Sequence, residues 1–160
     1  MSKQKITPFL WFEKEAEEAA NFYVSLFKNA RVGKVLRMPE GGPGPAGAVL
    51  TVTFEIDGQE YVALNGRAQA GFTDAVSFQI HCADQAEVDH FWDGFIAGGG
   101  EPSMCGWLRD RFGVSWQVTP ARLPELLSDK DPGVAQRVMQ AMMKMRKIEV
   151  APLEAAARAG

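Results

Sequence analysis

Cysteine and histidine are the scarce residues of this chain. Cys82 and Cys105 are the only thiols among 160 residues, and His81 and His90 the only imidazoles. Two cysteines so placed make neither a disulfide framework nor a zinc-ligand spacing. Charge of one sign is also lacking: 17 Lys and Arg stand against 20 Asp and Glu, a net charge of −3. That balance argues against nucleic acid or an anionic membrane surface as partner. No apolar run is long enough to span a bilayer, and the N-terminal residues lack a signal-peptide pattern. With free thiols expected, the chain reads as cytoplasmic. What is present, 46% apolar and 23% charged residues, is ordinary globular composition. The length suits one domain, or two small halves sharing a core.

Cys105 to Pro120 is the most informative stretch. Trp107 to Arg109 reads as one arm of a hairpin, Asp110 to Gly113 as its turn and Val114 to Thr119 as the returning strand. Gly113 supplies the positive φ that such a turn requires. Val114, Trp116 and Val118 alternate with Ser115, Gln117 and Thr119, the period of a strand whose two faces meet different surroundings. The apolar face calls for a helix or core, and the polar face for a cavity. Arg109, Asp110 and Arg111 read as a solvated turn, with Asp110 able to cap turn amides.

From the start, Ile6 to Phe12 is a β-rich apolar run. Lys14 to Phe27 follows, with Ala19, Phe22, Tyr23, Leu26 and Phe27 on one helical face. Arg31 to Met38 reads as a strand and Gly41 to Gly47 as a loop. Val49 to Ile56, the Asp57-Gly58 turn signal and Tyr61 to Leu64 read as a hairpin. Then the pattern recurs. Ala75 to Cys82 is a strand, and the next helix carries Val88, Phe91, Trp92, Phe95 and Ile96, each 69 positions after its counterpart in the first helix. Phe9 with Phe78 and Glu18 with Glu87 share that offset. Asp84 and Glu87 are placed to cap the second helix, and Gly98 to Gly100 end it. Two unrelated amphipathic helices would share a generic pattern, but the matching strands favour a duplicated βαβββ module.

The tail differs. Leu123 to Leu127 suggests a helical turn, and Asp131 caps the next helix with Pro132 at its first position. Val134, Val138, Ala141, Met145 and Ile148 form an apolar seam widened by Met139, Met142 and Met143. A seam of this breadth predicts a partner, and a homodimer is the commonest way to supply one. Folding back over its own core is the alternative. Pro152 restarts a short Ala-rich helix.

Several of these stretches together resemble one family: Ile6-Thr7-Pro8-Phe9-Leu10-Trp11-Phe12, Ala19-Ala20-Asn21-Phe22-Tyr23, Ala63-Leu64-Asn65-Gly66, Ser77-Phe78-Gln79, Cys105-Gly106-Trp107-Leu108, Asp110 to Gln117, and Leu123 to Leu127. They are similar to the PhnB-like proteins, often labelled 3-demethylubiquinone-9 3-methyltransferase, of the glyoxalase/bleomycin-resistance/dioxygenase (vicinal oxygen chelate) superfamily. The resemblance implies an α+β fold of paired βαβββ modules forming a cup-shaped mixed sheet with outer helices. The modules would span about 3–66 and 73–120 within a domain of 1–120, with 121–160 a helical extension of the same domain. Whether the cup closes within one chain or across two stays open. No particular reaction is implied, because the superfamily runs several chemistries and non-catalytic binding on one scaffold.

Catalytic members of the superfamily hold a divalent metal with His, Gln and Glu from the strands. The matching positions here are Pro8, Ser77, Gln117 and the Ala63 to Asn65 stretch. One or two neutral amides do not replace imidazoles and carboxylates, so neither a metal nor any other cofactor is expected. The glycine-rich stretch lies between two strands, the wrong context for a nucleotide-type cofactor turn, which disfavours methyl transfer. His81 shares a strand face with Ser77 and Gln79 but stands alone as a candidate base. His90 falls on the polar side of its helix. Neither cysteine has a base beside it in the sequence, and burial is the expected state of both. The first reading is a binding protein for a small organic ligand, lined by Leu10, Phe12, Asn65, Ser77, Gln79, Trp107, Ser115 and Gln117. On the same expectation Phe9, Trp11, Phe78, Ile80 and Trp116 turn toward the helices. The alternatives are a metal-dependent lyase, isomerase or dioxygenase with an atypical ligand set, and an interaction protein working through its Met-rich tail.

Overall fold

A computed structural model describes residues 4–67 and 71–160. The chain divides into two compact units, the first ending at Gly71 and the second beginning at Phe72. Lys3, where the first module was expected to start, lies outside the described residues.

The first unit runs β1 (Phe9–Phe12), α1 (Ala16–Leu26), β2 (Ala30–Arg37), β3 (Val49–Ile56) and β4 (Gln59–Asn65). Its sheet has the order β1-β4-β3-β2, with β1 parallel to β4 and the other pairs antiparallel. Alternation places Val52, Phe54 and Ile56 on the buried face of β3, where the Tyr23 ring of α1 lies 5.8 Å from Phe54. Small residues let α1 approach closely: Ala16, Ala19 and Ala20 are fully buried. Asp57 and Gly58 both take positive φ, 48° and 82°, as a two-residue hairpin turn with the right twist requires.

The second unit runs β5 (Ser77–Cys82), α2 (Gln85–Ala97), β6 (Glu101–Pro102), β7 (Trp107–Arg109) and β8 (Ser115–Pro120), then α3 (Arg122–Leu127), α4 (Pro132–Met142) and α5 (Val150–Arg158). Its sheet order, β5-β8-β7-β6 with only β5·β8 parallel, repeats that of the first. The Asp84 side chain caps α2 by accepting from Glu87 N at 2.9 Å. Phe78 and Trp116 meet with centroids 5.4 Å apart, and Phe95 of α2 meets Trp116 at 5.0 Å. The fold is therefore α+β, two mixed four-stranded βαβββ sheets followed by C-terminal helices.

The tail seam does not run along one helix. Helix α4 stops at Met142, and the next residues are recruited as backbone: the Met145 and Arg146 carbonyls accept from Cys105 N and Gly106 N, each at 2.8 Å. Tertiary hydrogen bonds outcompete the helical period there. Leu123, Leu126, Val138, Ile148 and Leu153 close into a small core, with Val134, Ala141, Met142 and Met145 against it. Gln85 ties this assembly to α2, donating to Ile148 O at 3.0 Å and accepting from Val150 N at 2.7 Å. Lys147 adds ion pairs to Asp89 and Asp93. The seam is thus spent within the chain, which removes most of the surplus from which a homodimer was expected.

Candidate binding face of the second sheet

One face of the second sheet is sealed by α2: Ile80, Cys82, Trp116, Val118 and Leu108 are buried there. Alternation sends their neighbours to the opposite face. The ladder aligns Ser77 with Ser115 and Arg109, Gln79 with Gln117 and Trp107, and His81 with Thr119. Hydrogen bonds stitch this face across β5 and β8. Gln117 Nε2 donates to Ser77 Oγ at 2.9 Å, and Gln79 Nε2 donates to Thr119 Oγ1 at 3.1 Å. The two bonds run diagonally in opposite directions, each spending one amide N–H.

The charged corner of the face involves a residue that the sequence did not mark. Asp74, just before β5, accepts from Arg109 Nε at 3.0 Å and Nη2 at 2.6 Å, and from Ser115 Oγ at 2.5 Å. These bonds, Arg109 foremost and then Ser115, hold the Asp74 carboxyl down at about 2. Arg109 is solvent-exposed as expected, but it ends β7 instead of lying in the turn, and it is ion-paired there. No local pattern relates positions 74 and 109, so only the fold reveals the pair.

The hairpin bearing Gln117 is held from inside. Asp110 is 4% exposed. Its Oδ1 accepts from Phe112 N at 2.9 Å and Val114 N at 3.0 Å, and its Oδ2 from the Trp116 indole at 2.9 Å. The capping expected of Asp110 is present, but the residue is buried, not solvated, because it also anchors Trp116. Gly113 turns the chain at φ 95°.

In the first unit three expected lining residues lie elsewhere. Leu10 and Phe12 are 6% and 3% exposed, in the core under α1, while Phe9 and Trp11 are 58% and 43% exposed on the open face. The faces of β1 are the reverse of those expected. The cause is one residue: Glu13, Lys14 and Glu15 link β1 to α1, whereas only Ala83 and Asp84 link β5 to α2. The helices repeat at 69, but the strand ends Phe12 and Cys82 lie 70 apart, and a one-residue slip exchanges every side chain between faces. Asn65 is spent structurally. Its Oδ1 caps α1 by accepting from Ala16 N at 2.9 Å, and its Nδ2 donates to Val49 O at 3.2 Å. Of the residues expected to line a site, Ser77, Gln79, Trp107, Ser115 and Gln117 share this face with Thr119, Arg109 and Asp74, Ser115 and Thr119 being buried at 1% and 9% exposed.

These residues do not suit a metal. Among the described residues no three His, Cys, Asp or Glu side chains gather. The corrected register moves the first-strand ligand position from Pro8 to Thr7, whose hydroxyl accepts from Gln4 at 3.3 Å. Hydroxyls and amides without a thiolate, imidazole or carboxylate cluster make a poor site for zinc, iron or manganese. Both cysteines are free. Burial, reinforced by Glu87, pushes the Cys82 thiol up to about 12, so it is inert. Cys105 is half-buried at φ 61° in the loop held by the tail.

This fold is of the type seen in a fosfomycin-resistance protein. The fosfomycin resistance protein FosX of Listeria monocytogenes superposes with a TM-score of 0.53 at 16% identity, over 78% of this chain and 98% of that one. The chain belongs to the family described as 3-demethylubiquinone-9 3-methyltransferase, whose model matches residues 4–119. A Bacillus cereus protein described as a putative 3-demethylubiquinone-9 3-methyltransferase, PhnB protein, is 39% identical over 74% of this chain and all of its own, with a TM-score of 0.67. A Pseudomonas aeruginosa protein superposes with a TM-score of 0.62 at 21% identity, over 74% of this chain and 98% of its own. No curated protein matches the chain significantly.

Proposed function

We propose that this chain binds a small organic molecule on the open face of the second sheet, using hydrogen-bonding side chains instead of a resident metal. The observation that carries this reading is the paired cross-strand bonding of Gln117 to Ser77 and Gln79 to Thr119. It fixes polar groups in place on a face backed by a closed apolar core, the usual make-up of a small-ligand site. We assign it no reaction. The family's methyltransferase description is not adopted, because Gly41 to Gly47 joins two antiparallel strands, β2 and β3, instead of opening a helix. Unpaired thiols fit a reducing, cytoplasmic setting. A homodimer formed through the tail now rests on Met139 and Met143, 40% and 60% exposed; a single-chain mass by light scattering at every concentration refutes it.

The test screens wild type and a Gln79→Leu/Gln117→Leu double variant against one small-molecule library by thermal shift, with circular dichroism to check that the variant folds. Compounds that raise the melting temperature of wild type alone are expected. Stabilisation that persists in the double variant, or none in wild type, refutes the reading.

A further inference from the structure

We infer that the ligand of this face is a planar, uncharged molecule carrying an amide, lactam or ureido group, held by Gln79 and Gln117 against Trp107. The inference rests on the binding reading above and names its ligand class.

Gln117 and Gln79 each spend one N–H on a hydroxyl of the neighbouring strand. Neither makes another hydrogen bond among the described residues, so each keeps a carbonyl oxygen and a second N–H. An acceptor beside a donor is the complement of another amide. The two glutamines are ladder neighbours, directly opposite across β5 and β8, so both pairs serve one small ligand. Their side chains are already anchored, which lowers the entropy lost on binding. Trp107 is the next residue along the same row, opposite Gln117 on β7. It is only half-buried and offers a flat apolar surface to a planar group.

Charge decides between a neutral ligand and an anion. Among the described residues of the sheet, Arg109 is the one Lys or Arg on this face, and it donates two hydrogen bonds to Asp74. Asp74 stays ionised throughout the physiological range, because Arg109 and Ser115 hold it down at about 2. The corner is therefore neutral as a pair and presents a carboxylate to any arriving anion. An anionic ligand meets the Asp74 carboxylate beside Arg109 and gains no net positive charge there, whereas an uncharged amide meets no such repulsion.

The experiment is a proton–nitrogen correlation titration of the full chain with three probes of similar shape: benzamide, benzoate and toluene. The side-chain amides of Gln79 and Gln117 and the Trp107 indole are followed. Benzamide should move all three, with benzoate and toluene each weaker by about tenfold. Asp74→Asn frees Arg109, and benzoate should then gain about tenfold while benzamide is unchanged. Benzoate or toluene matching benzamide at these residues overturns the ligand class and leaves the binding face standing. A failure of benzoate to gain in Asp74→Asn does the same. Shifts confined to other residues, or none up to the solubility of the probes, overturn both.

Discussion

Asp110→Ala is the substitution that most directly tests how the binding face is held. The carboxylate takes donors from Phe112 N, Val114 N and the Trp116 indole within 2.9–3.0 Å, at a site 4% exposed. A hydrogen bond to a charged group contributes about 1.5–3 kcal/mol, and a buried donor left unpaired costs about 1–3 kcal/mol. Against that, removing a buried carboxylate relieves its desolvation, and Phe112 N, in a half-buried residue, can regain water. The balance is a loss of about 3 kcal/mol, a large share of the roughly 5–15 kcal/mol of a typical domain. Asp110→Asn keeps an oxygen for the two backbone amides but turns an NH₂ group toward the indole N–H. It should cost about 1–2 kcal/mol. Urea unfolding followed by tryptophan fluorescence measures both. If the alanine variant falls within about 0.5 kcal/mol of wild type, or the asparagine variant costs more than alanine, Asp110 is not the anchor of the hairpin.

Three further outcomes are expected. Leu10→Ala should destabilise by about 2–4 kcal/mol as a core truncation, and Phe9→Ala by less than about 1 kcal/mol; the reverse order in denaturant unfolding would restore the discarded strand register. Gly106→Ala places a Cβ 2.9 Å from both Ile148 Cγ1 and Val118 O at φ 84°, and should cost about 2–3 kcal/mol, with hydrogen exchange accelerating at Cys105 and Gly106; unchanged exchange there refutes the docking of the tail. The carboxyl of Asp74 is lowered, so its contribution is complete above the ordinary 3.8 and is lost as pH falls toward about 2; carbon NMR should place its midpoint near that value and move it up in Arg109→Ala, and an unshifted midpoint in that variant would show that the ion pair is not the cause.

Most of the fold was legible because each element carries its own local signal. Val49 to Ile56 matched β3 residue for residue, and Asp84 and Asp131 capped the helices they precede. Gly113 and the Asp57-Gly58 turn announced themselves through the φ they must adopt. What escaped was whatever depends on two distant segments. The end of α4 at Met142 could not be read from a seam that continues to Ile148, because the competing bonds come from Cys105 and Gly106. The burial of Asp110 depends on Trp116 lying over it, and Asp74 became part of the face only when β7 brought Arg109 alongside.

The strand faces on which the candidate site was placed were legible on β5 and β8 and misread on β1 for one physical reason. A strand assigns its faces by parity, so the reading is only as good as the register from which parity is counted. On β8 the register is internal: Trp116 and Val118 sit beside Gln117 on a six-residue strand, and apolar burial decides which set turns inward. On β1 all four residues, Phe9, Leu10, Trp11 and Phe12, are apolar, so hydrophobicity cannot choose a face and only the repeat offset suggests one. The repeat is strongest on the helices, where a link one residue longer leaves no trace. Asn65 shows where an independent check lay, since a short polar side chain at the end of β4 caps the N-terminus of α1 and thereby belongs to the helix face. Its partner across the ladder is Phe12, so that one hydrogen bond assigns Phe12, and with it Leu10, to the core.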